Sequence, residues 1–583
     1  MMKNPFAKKV GRRSTFLACV FLLWTAAIVF RLVQLQVLQA SQAREIIQDN
    51  NRNAIVVQPL RGTIYDRKGT ILARSVPRKS VFYTPQKHIS ENDQMRNLYR
   101  LKNILGLTAG QYENIRKKIR EKAHFIWIKQ KIDDEQAVQV DLLGLDDVHM
   151  LEEKKRFYPQ GRLAAHILGR VNIDEIGQSG MEFYHNDILA GESGKQINFY
   201  DAKRRRYRFE VVESPVDGTD LVLTIDETIQ YIAEKELAAA VDSRNAAWGT
   251  VIISQPQTGE ILAMAHTPSF DPNHPPLPLE LTDRIRAVHE HMDPGSTFKI
   301  ITAAAALESG LVGSDESFDC SAGEIEVSGK PIKDHKPFGV LTFPEVFIHS
   351  SNVGIVQIAR RIGPERFYHW MTKFGFGRKT GIDLPLESTG KIRPPSEWGP
   401  RSLPALSIGY ELSVTAIQML TAYNVIANRG ILIPPKLVKK VLSPVDDAPP
   451  LTKEGQRVLS EETALRIEGI LLDAVRKGTG ITAQIDGYSI AGKTGTSQKI
   501  NSLGRYSSDA HTAFFAGYIL DGRTLFSMIV IIDNPQGEYY GTQVAAPVFR
   551  EIATQILRYM GVPGNRAPQM QQITVVDAPG GAR

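Results

Sequence analysis

The segment Asp293-Pro294-Gly295-Ser296-Thr297-Phe298-Lys299 runs directly into an apolar stretch from Ile300 to Leu307. The proline suits the entry to a helix, and the run of alanines that follows consists of strong helix formers. Gly310 then supplies a suitable stop. The pattern therefore predicts a helix that starts in this segment and carries Ser296 in its first turn.

Ser296 and Lys299 form a candidate nucleophile and base. Residues three positions apart share a helix face, so we expect the lysine amine to reach the serine hydroxyl. A lysine can take that proton only if desolvation or a neighbouring cation keeps it neutral. The first turn also offers free N–H groups and a positive dipole end to a developing oxyanion. The alternative is a capped, solvated helix, because about two S-x-x-K matches are expected by chance in a chain of this length.

Two further motifs favour catalysis over chance. Ser350-Ser351-Asn352 follows the serine, and Lys493-Thr494-Gly495-Thr496 lies far downstream. An S-x-x-K, an S-x-N and a K-T-G element in this order are typical of serine acyl transfer at a penicillin-sensitive site. No Gly-rich phosphate loop accompanies them. His289-Glu290-His291 lacks a third spaced ligand, so loop histidines are favoured over a metal site, and we expect neither a metal nor an organic cofactor.

The N-terminus has the composition of a membrane anchor. The chain has 583 residues and a net charge of +7, which allows several domains and does not favour nucleic acid as a partner. Five of the basic residues precede the apolar run Phe16 to Phe30. We therefore predict a basic cytoplasmic tail over residues 1–13 and a single transmembrane helix over residues 14–38, with the remainder exported. A cleavable signal peptide is the competing interpretation, although Leu38-Gln39-Ala40 matches a cleavage site weakly.

The rest of the chain divides into segments that differ in composition and in apolar pattern. Residues 39–215 are mixed and charged, and no catalytic cluster stands out in them. Residues 216–562 alternate strand and helix patterns, with strands at both ends of a helical middle, which predicts an α+β domain whose sheet is completed by late strands and flanked by helices. Residues 563–583 are rich in Pro, Gly and Gln and are expected to be disordered. Expected strands are 221–225, 248–254, 261–265, 488–496, 512–518 and 525–533, and expected helices include 227–241, 364–374, 413–428, 461–476 and 546–560.

With these motifs, the chain resembles a class B high-molecular-mass penicillin-binding protein, a monofunctional D,D-transpeptidase, and is most similar to the septal cell-division type. The resemblance includes R-G-x-I-x-D-R-x-G at Arg61 to Gly69, Y-P-x-G-x-x-A-H-x-x-G at Tyr158 to Gly169, and G-x-x-G-x-E at Gly177 to Glu182. Asn352 favours the division type, because elongation-type relatives commonly carry aspartate there. Glu411 and Ala416 depart from the usual glycine and proline and affect only acceptor-side detail.

The resemblance implies a multidomain α+β architecture. It consists of an N-terminal transmembrane helix, an elongated α/β pedestal over residues 39–215, and a transpeptidase domain similar to β-lactamases over residues 216–562. That domain is expected to contain an antiparallel five-stranded sheet flanked by helices. The implied location is the cytoplasmic (inner) membrane, with the N-terminus inside and the catalytic domain outside the cytoplasm.

The resemblance also implies roles for the site residues. Ser296 would attack the D-Ala-D-Ala carbonyl of a peptidoglycan stem peptide while Lys299 takes its proton. Ser350 would relay a proton to the leaving amine, and Asn352 would hold the donor backbone or position the lysine. Lys493 would lie near Ser350 and bias Lys299 toward neutrality.

Substrate binding is expected on the downstream motif. Thr494 and Thr496 would bind the substrate carboxylate, and Gly495 would let the peptide lie against the strand edge. The N–H groups of Ser296 and Thr496 would form an oxyanion hole.

The resemblance predicts partners as well. β-Lactams would acylate the same serine, and the transmembrane helix and pedestal would dock a polytopic lipid-linked glycosyltransferase and other division proteins. Several alternatives remain: a β-lactamase or β-lactam sensor, a D,D-carboxypeptidase in which water replaces the acceptor amine, and a non-catalytic division scaffold.

Overall fold

The structure is a computed structural model that describes residues 5–34, 36, 52–85, 89–200, 206–276, 283–313, 315–442, 454–501 and 504–564. The tail predicted to be disordered lies outside the described residues from position 565 onward, as do residues 1–4 and 37–51. The chain forms two compact units, one of Met1–Leu60 with Gly191–Gly218 and the other of Arg61–Ala190 with Thr219–Arg583.

The first unit begins with the helix Pro5–Val33. Its segment Phe16–Val33 has a mean hydropathy of 2.4 and the length and composition needed to cross a membrane, as the sequence predicts. The helix starts inside the predicted basic tail, because lysine and arginine are good helix formers and do not interrupt the pattern. The unit also contains a three-stranded antiparallel sheet in the order Arg52–Val57, Gly194–Tyr200, Arg206–Glu213.

The second unit opens with a mixed sheet around the long strand Ile71–Tyr83, which pairs antiparallel with Ile126–Ile132 and with Val148–Phe157. Short polar residues start the helices beside it: Ser90 accepts a hydrogen bond from Asp93 N, and Thr108 closes a capping box. The remaining strands of this sheet are Ile64–Tyr65, Asp220–Leu223 and Val438–Leu442. The helices are Glu91–Leu105, Ala109–Arg120, Asp134–Asp141, Ala165–Leu168, Gly180–Tyr184 and Asn186–Leu189.

A buried charge cluster joins the three glycine-rich segments that precede the catalytic part. Arg61 Nε donates to Glu182 Oε2 at 2.7 Å, and Arg156 Nε donates to Glu182 Oε1 at 2.6 Å. Tyr158 OH lies 3.4 Å from the same carboxylate, and all four side chains are buried. A carboxylate bound by two guanidinium groups is compensated inside the fold, so these segments act as scaffold.

The catalytic part is built on the predicted antiparallel five-stranded sheet. Its order is Glu260–Thr267, Trp248–Gln255, Arg523–Asp533, Tyr506–Asp521, Ser489–Ile500. Alternate residues of each strand pack into two hydrophobic cores, as the period of two dictates: Val251 and Ile253 face one core and Ile252 faces the other. The sheet therefore has helices on both faces, which confirms the expected architecture.

Helix starts in this part follow the capping signals of the sequence. The Asp226 side chain accepts from Thr228 N and Ile229 N, and Thr342 forms a capping box with Glu345. The α-helices are Glu227–Ser243, Arg286–His289, Lys299–Glu308, Phe343–Ile348, Asn352–Ile362, Pro364–Lys373, Ser402–Ser407, Ala416–Ala427, Glu461–Arg476 and Gly541–Tyr559, with 3-10 turns at Gly295–Phe298, Pro395–Glu397 and Ile481–Ala483. Short strand pairs are Ser317–Asp319 with Val340–Thr342, Glu324–Val327 with Lys330–Lys333, and Ile431–Leu432 with Gln456–Arg457.

The last helix begins at Gly541, earlier than the predicted start at residue 546, and it contains Pro547 in its interior. A Cβ on Gly541 would lie 2.4 Å from Gly495 O and 2.5 Å from Phe514 O. The glycine is therefore required by close approach to the Lys493-Thr494-Gly495 strand.

Candidate active site

Ser296 lies in a tight turn at the head of a buried helix. The residues Gly295–Phe298 form a 3-10 turn that continues into the helix Lys299–Glu308, so the predicted first turn exists but is wound more tightly than an α-helix. Gly295 has a φ of +54°, and a Cβ on it would lie 2.7 Å from Thr496 O. Only glycine fits this left-handed, close-packed position.

Neighbouring hydrogen bonds hold the turn. Thr297 Oγ1 donates to Pro294 O at 2.6 Å, and the buried Tyr423 OH donates to Thr297 O at 3.0 Å. Ser296 itself lines a cavity of about 540 Å³. The fold thus fixes the backbone around the serine at the wall of the cavity.

Lys299 is fully buried and connects this helix to the Ser350-Ser351-Asn352 motif. Its Nζ contacts Ser350 O at 2.7 Å, Ser350 Oγ at 3.2 Å and Asn352 Oδ1 at 2.8 Å. Ser296 Oγ is not among these three partners, so the direct contact expected from the sequence is not formed in this structure. The amine instead lies against Ser350, which lines the same cavity as Ser296.

Ser350 adopts an unusual backbone conformation, with a φ of +59°. Left-handed backbone costs a residue other than glycine on the order of 1 kcal/mol. In this conformation both the carbonyl and the hydroxyl of Ser350 contact the same amine. The strain is therefore located where two acceptors converge on Lys299.

Asp334 holds the second motif in place, and the sequence analysis missed it. Its carboxylate accepts from Ser351 Oγ at 2.6 Å, from Val353 N at 3.1 Å and from Asn352 N. Asn352 Nδ2 donates to Lys333 O at 2.8 Å, which leaves its Oδ1 for Lys299. An anion at the start of the helix Asn352–Ile362 is also favourable for the helix dipole. No local pattern indicates this contact, because the aspartate directly follows the strand Lys330–Lys333 and lies 17 residues before Ser351 in the sequence.

Burial favours the neutral form of the Lys299 amine. Loss of solvent lowers the pKa of Lys299 well below its usual value, and the positive charge of Lys493 lowers it further, while Asp334 opposes the shift. Burial also lowers the pKa of Lys493 to about 7. The two lysines share a small apolar cavity whose walls include Phe347 and Leu471. The predicted effect of Lys493 is present, but desolvation is the larger cause.

The Lys493-Thr494-Gly495-Thr496 strand forms another wall. Lys493 Nζ donates to Thr479 Oγ1 at 3.2 Å and contacts Thr494 O at 3.4 Å. Thr494 Oγ1 lies 2.9 Å from Thr479 Oγ1. Ser350 is not among the hydrogen-bond partners of Lys493, so the lysine is held by Thr479 of Gly478-Thr479-Gly480. The sequence analysis did not select Thr479 as a site residue, although its flanking glycines were a signal.

Gly495 and Thr496 pack against the serine turn and the last helix. A Cβ on Gly495 would lie 2.8 Å from Thr297 Cγ2 and 3.1 Å from Pro294 O. Thr496 Oγ1 accepts a hydrogen bond from Gly541 N at 3.0 Å. Glycine is thus needed for the strand to lie beside Ser296, in addition to any role toward a peptide.

The cavity brings the predicted residues together with several that were not predicted. Its lining residues are Ser296, His335, His349, Ser350, Asn352, Thr479, Thr494, Gly495, Thr496, Tyr540, Gly541, Thr542 and Gln543. Lys299 and Lys493 lie behind this lining, in contact with it. Two histidines near the second motif are the notable additions.

The histidines of the segment His289-Glu290-His291 are used inside the fold. His289 Nε2 lies 3.0 Å from Pro385 O, and its Nδ1 accepts from Ile285 N at 3.1 Å. His291 contacts Ser388 Oγ. In the part of the chain that the structure describes, no group of three His, Cys, Asp or Glu side chains could hold a metal ion. The absence of a cofactor stays a prediction.

Family models match both parts of the chain. Residues 249–554 match the penicillin binding protein transpeptidase domain, and residues 56–223 match the penicillin-binding protein dimerisation domain. The bounds predicted from the sequence, 39–215 and 216–562, differ from these ranges and remain a proposal.

Full-length relatives agree with the family models. Probable peptidoglycan D,D-transpeptidase PenA of Neisseria meningitidis is 32% identical over 571 residues, covering 96% of this chain and 94% of the relative. Peptidoglycan D,D-transpeptidase FtsI of Escherichia coli is 31% identical over 576 residues, with 96% and 94% covered. The crystal structure of penicillin binding protein 3 of Mycobacterium tuberculosis with aztreonam matches with a TM-score of 0.68 and 28% identity, over 88% of this chain and 98% of that one. The chain therefore belongs to the class B penicillin-binding proteins, and within them to the septal type represented by FtsI.

Proposed function

We propose that the protein is a peptidoglycan D,D-transpeptidase that cross-links stem peptides through a Ser296 ester during septal wall synthesis. The observation that carries the proposal is the environment of Lys299. The amine is fully buried, its pKa is held low, and it contacts Ser350 and Asn352 beside the cavity that Ser296 lines. A buried amine with a lowered pKa, in contact with Ser350 Oγ and beside the cavity that Ser296 lines, is suited to take the proton that activation of a serine requires.

The first half-reaction forms the ester. Ser296 Oγ bonds to the carbonyl carbon between the two D-alanines, and its proton passes to the Lys299 amine. The peptide bond breaks, and Ser350 delivers a proton to the departing amine, so that D-alanine leaves as a neutral amino group. Ser350 recovers its proton from Lys299, with which it is already in contact at 3.2 Å. This relay contributes general acid–base catalysis, typically about 10²–10⁴-fold.

The second half-reaction closes the cross-link. The amine of a neighbouring stem peptide attacks the ester carbonyl, its proton returns through Lys299, and the C–O bond to Ser296 breaks. The products are a new peptide bond and the free serine. The N–H groups of Ser296 and Thr496 would bind the oxyanion in both steps, each donor worth roughly 3 kcal/mol in comparable sites.

The strand Ser489–Ile500 is the proposed binding edge for the donor peptide. In the described chain it pairs with another strand on one side only, so its second edge can accept an extended peptide. Thr494 and Thr496 line the cavity at this edge. Their hydroxyls would bind the terminal carboxylate of the substrate, or the equivalent carboxylate of a β-lactam.

We also propose that the protein spans the inner membrane once, with the N-terminus in the cytoplasm and the catalytic unit outside. The apolar helix and the basic residues before it support this orientation. The helix and residues 39–215 would dock a polytopic lipid-linked glycosyltransferase and other division proteins. Deleting residues 39–215 should abolish co-purification of the glycosyltransferase, and persistence of that complex would contradict the proposed docking role.

Fluorescent penicillin tests the nucleophile. The native protein should be labelled, and peptide mapping should place the label on Ser296. Ser296→Ala should abolish labelling. Ser243→Ala, which changes an exposed serine on the helix Glu227–Ser243, serves as the matched control and should label normally. A label that persists in Ser296→Ala would refute the assignment.

Lipid-linked stem peptides test the fate of the ester. Incubation with donor and acceptor peptides should give cross-linked product, separable from trimmed product by chromatography and mass. Trimmed product alone would identify a D,D-carboxypeptidase. Absence of both products, together with absence of penicillin labelling, would indicate a non-catalytic division scaffold.

A further inference from the structure

Two histidines form one wall of the cavity on the side of the Ser350-Ser351-Asn352 motif. The ring of Phe338 lies between them: its centroid is 4.9 Å from that of His335 and 5.3 Å from that of His349. His349 directly precedes Ser350, and His335 directly follows Asp334, which anchors the motif. Both histidines line the cavity. Their positions are therefore tied to the catalytic motif itself.

Both imidazoles are available to a ligand. Within the described ranges, neither ring nitrogen of either histidine is engaged in a hydrogen bond, and the lining of the cavity contains no carboxylate, lysine or arginine. The histidines are thus the lining groups that can become positively charged at mildly acidic pH. An anionic group entering the cavity would meet no fixed negative charge on its walls.

Charges of both signs lie around this wall. Asp334 and Lys336 act on His335 together with the Lys299 amine, and both His349 and Lys477 act on Glu345. Burial lowers the pKa of His335, and Lys336, His349 and Lys299 lower it further, whereas Asp334 raises it. Cations that disfavour a protonated imidazole also favour a bound anion, because both respond to the same potential.

We propose that His335 and His349 form a subsite for a free carboxylate of the donor stem peptide, upstream of the D-alanyl bond. The inference rests on the proposed transpeptidase function. The terminal carboxylate of the donor is assigned to Thr494 and Thr496 on the opposite motif, so the histidine wall is left for a second acidic group. The subsite distinguishes donors with a free carboxylate from donors in which that group is a carboxamide.

The subsite predicts a pH dependence with a definite sign. A bound carboxylate stabilises the imidazolium form, so the preference for an acidic donor increases as the pH falls. Loss of either imidazole reduces the increase, and loss of both removes it.

Two penicillins test the subsite. Benzylpenicillin and its α-carboxylated derivative carbenicillin differ by one carboxylate on the acyl side chain, which occupies the position upstream of the reacting carbonyl. For the native full chain, we expect the ratio of acylation rate constants, carbenicillin over benzylpenicillin, to rise about three-fold from pH 8 to pH 6, as for a partly exposed ion pair. In the double variant His335→Gln/His349→Gln the ratio should stay constant. His369→Gln, which changes an exposed histidine of the helix Pro364–Lys373, is the matched control and should retain the rise.

The outcomes separate the subsite from the proposed function. A pH-independent ratio in the native protein, or an undiminished rise in the double variant, would overturn the subsite while acylation itself remains. Failure of both penicillins to acylate the native protein would overturn the proposed function and the subsite together. Since the variants could misfold, a second measurement uses native protein alone with paired donor peptides that carry a carboxylate or a carboxamide at one upstream residue. Equal rates for the pair at pH 6 would also overturn the subsite.

Discussion

Buried charge is handled in opposite ways in two regions of the second unit. In the scaffold cluster, the Glu182 carboxylate is bound by Arg61 and Arg156, and every partner is buried. In the catalytic cavity, Lys299 and Lys493 are buried just as fully, yet no salt bridge to either occurs among the described residues. One region pairs its carboxylate with two guanidinium groups, whereas the other holds two amines with neutral acceptors only.

The difference indicates what each region does. A buried ion pair keeps its charges and fixes segments that are far apart in sequence. A buried lysine without a counter-ion instead has a lowered pKa. The lower pKa favours the neutral amine, which can act as a base. Polar contacts to Ser350 and Thr479 hold the lysines without restoring the charge.

The largest expected effect comes from removing the uncompensated amine. Lys299→Met keeps an apolar stem of similar length but has no base, so acylation by benzylpenicillin should fall by about 10²–10⁴-fold. Stopped-flow or gel-based acylation kinetics measure the change. Thermal unfolding should change less than in the Glu182 variant below. A large loss of stability with normal acylation would show that this lysine is structural and would break the comparison.

Removing the Glu182 carboxylate should lower the stability of the fold and leave acylation in place. Glu182→Gln leaves two guanidinium groups buried without an anion, so the free energy of unfolding should fall by about 3–5 kcal/mol. The folded fraction should still react with benzylpenicillin, because Glu182 does not line the cavity. Urea unfolding measures the loss. Glu462→Gln, which breaks an exposed pair with Arg466, is the matched control and should cost less than about 1 kcal/mol.

Lys493 should act on the pH profile of acylation. Neutral Lys299 is the reactive form, so the rate falls as the pH drops through the pKa of Lys299. Lys493→Met removes a nearby positive charge and therefore raises that pKa, which moves the acidic limb of the profile to higher pH. The loss should be greater at pH 6 than at pH 8. In Thr479→Val, which removes the hydroxyl partner but keeps the charge, the limb should stay in place.

Asp334 should give the smallest effect, with the opposite sign. Its charge raises the pKa of Lys299, so Asp334→Asn should move the acidic limb to lower pH. Loss of the anion at the start of the helix Asn352–Ile362 should cost about 0.5 kcal/mol of unfolding free energy. The pH profile and urea unfolding together test both effects. A shift of the limb to higher pH would contradict the electrostatic account of Lys299.

Local signals in the sequence predicted much of the fold. The cap at Asp226, the capping box at Thr342 and the two strands joined through residues 256–259 depend on neighbours within a few residues, and all occur. The strands of the five-stranded sheet were predictable from short apolar runs, whereas the number of strands was implied by the family resemblance. The last helix was misjudged at its start, since Gly541 serves a distant strand and has no local explanation.

The sequence predicted the site residues that belong to the three motifs. It did not predict the residues that only the folded chain brings next to those motifs. The contact of Lys299 with Asn352 was one of the two roles that the family resemblance implied for the asparagine, whereas its contact with Ser350 was not predicted. The contacts of Asp334 and of Thr479 join residues that lie far apart or outside the motifs, and no periodicity marks them. Sequence alone also could not show that burial lowers the pKa of Lys299 more than the charge of Lys493 does, because burial depends on the packing of the folded core.

The most direct test of the account is the protonation state of Lys299. Protein labelled with ¹³C at the lysine Cε positions can be followed by NMR across a pH titration, with Lys299→Met used to assign the signal. The account predicts that the Lys299 signal has the chemical shift of a neutral amine at pH 7. A signal that stays that of an ammonium group until near its ordinary pKa would contradict the account.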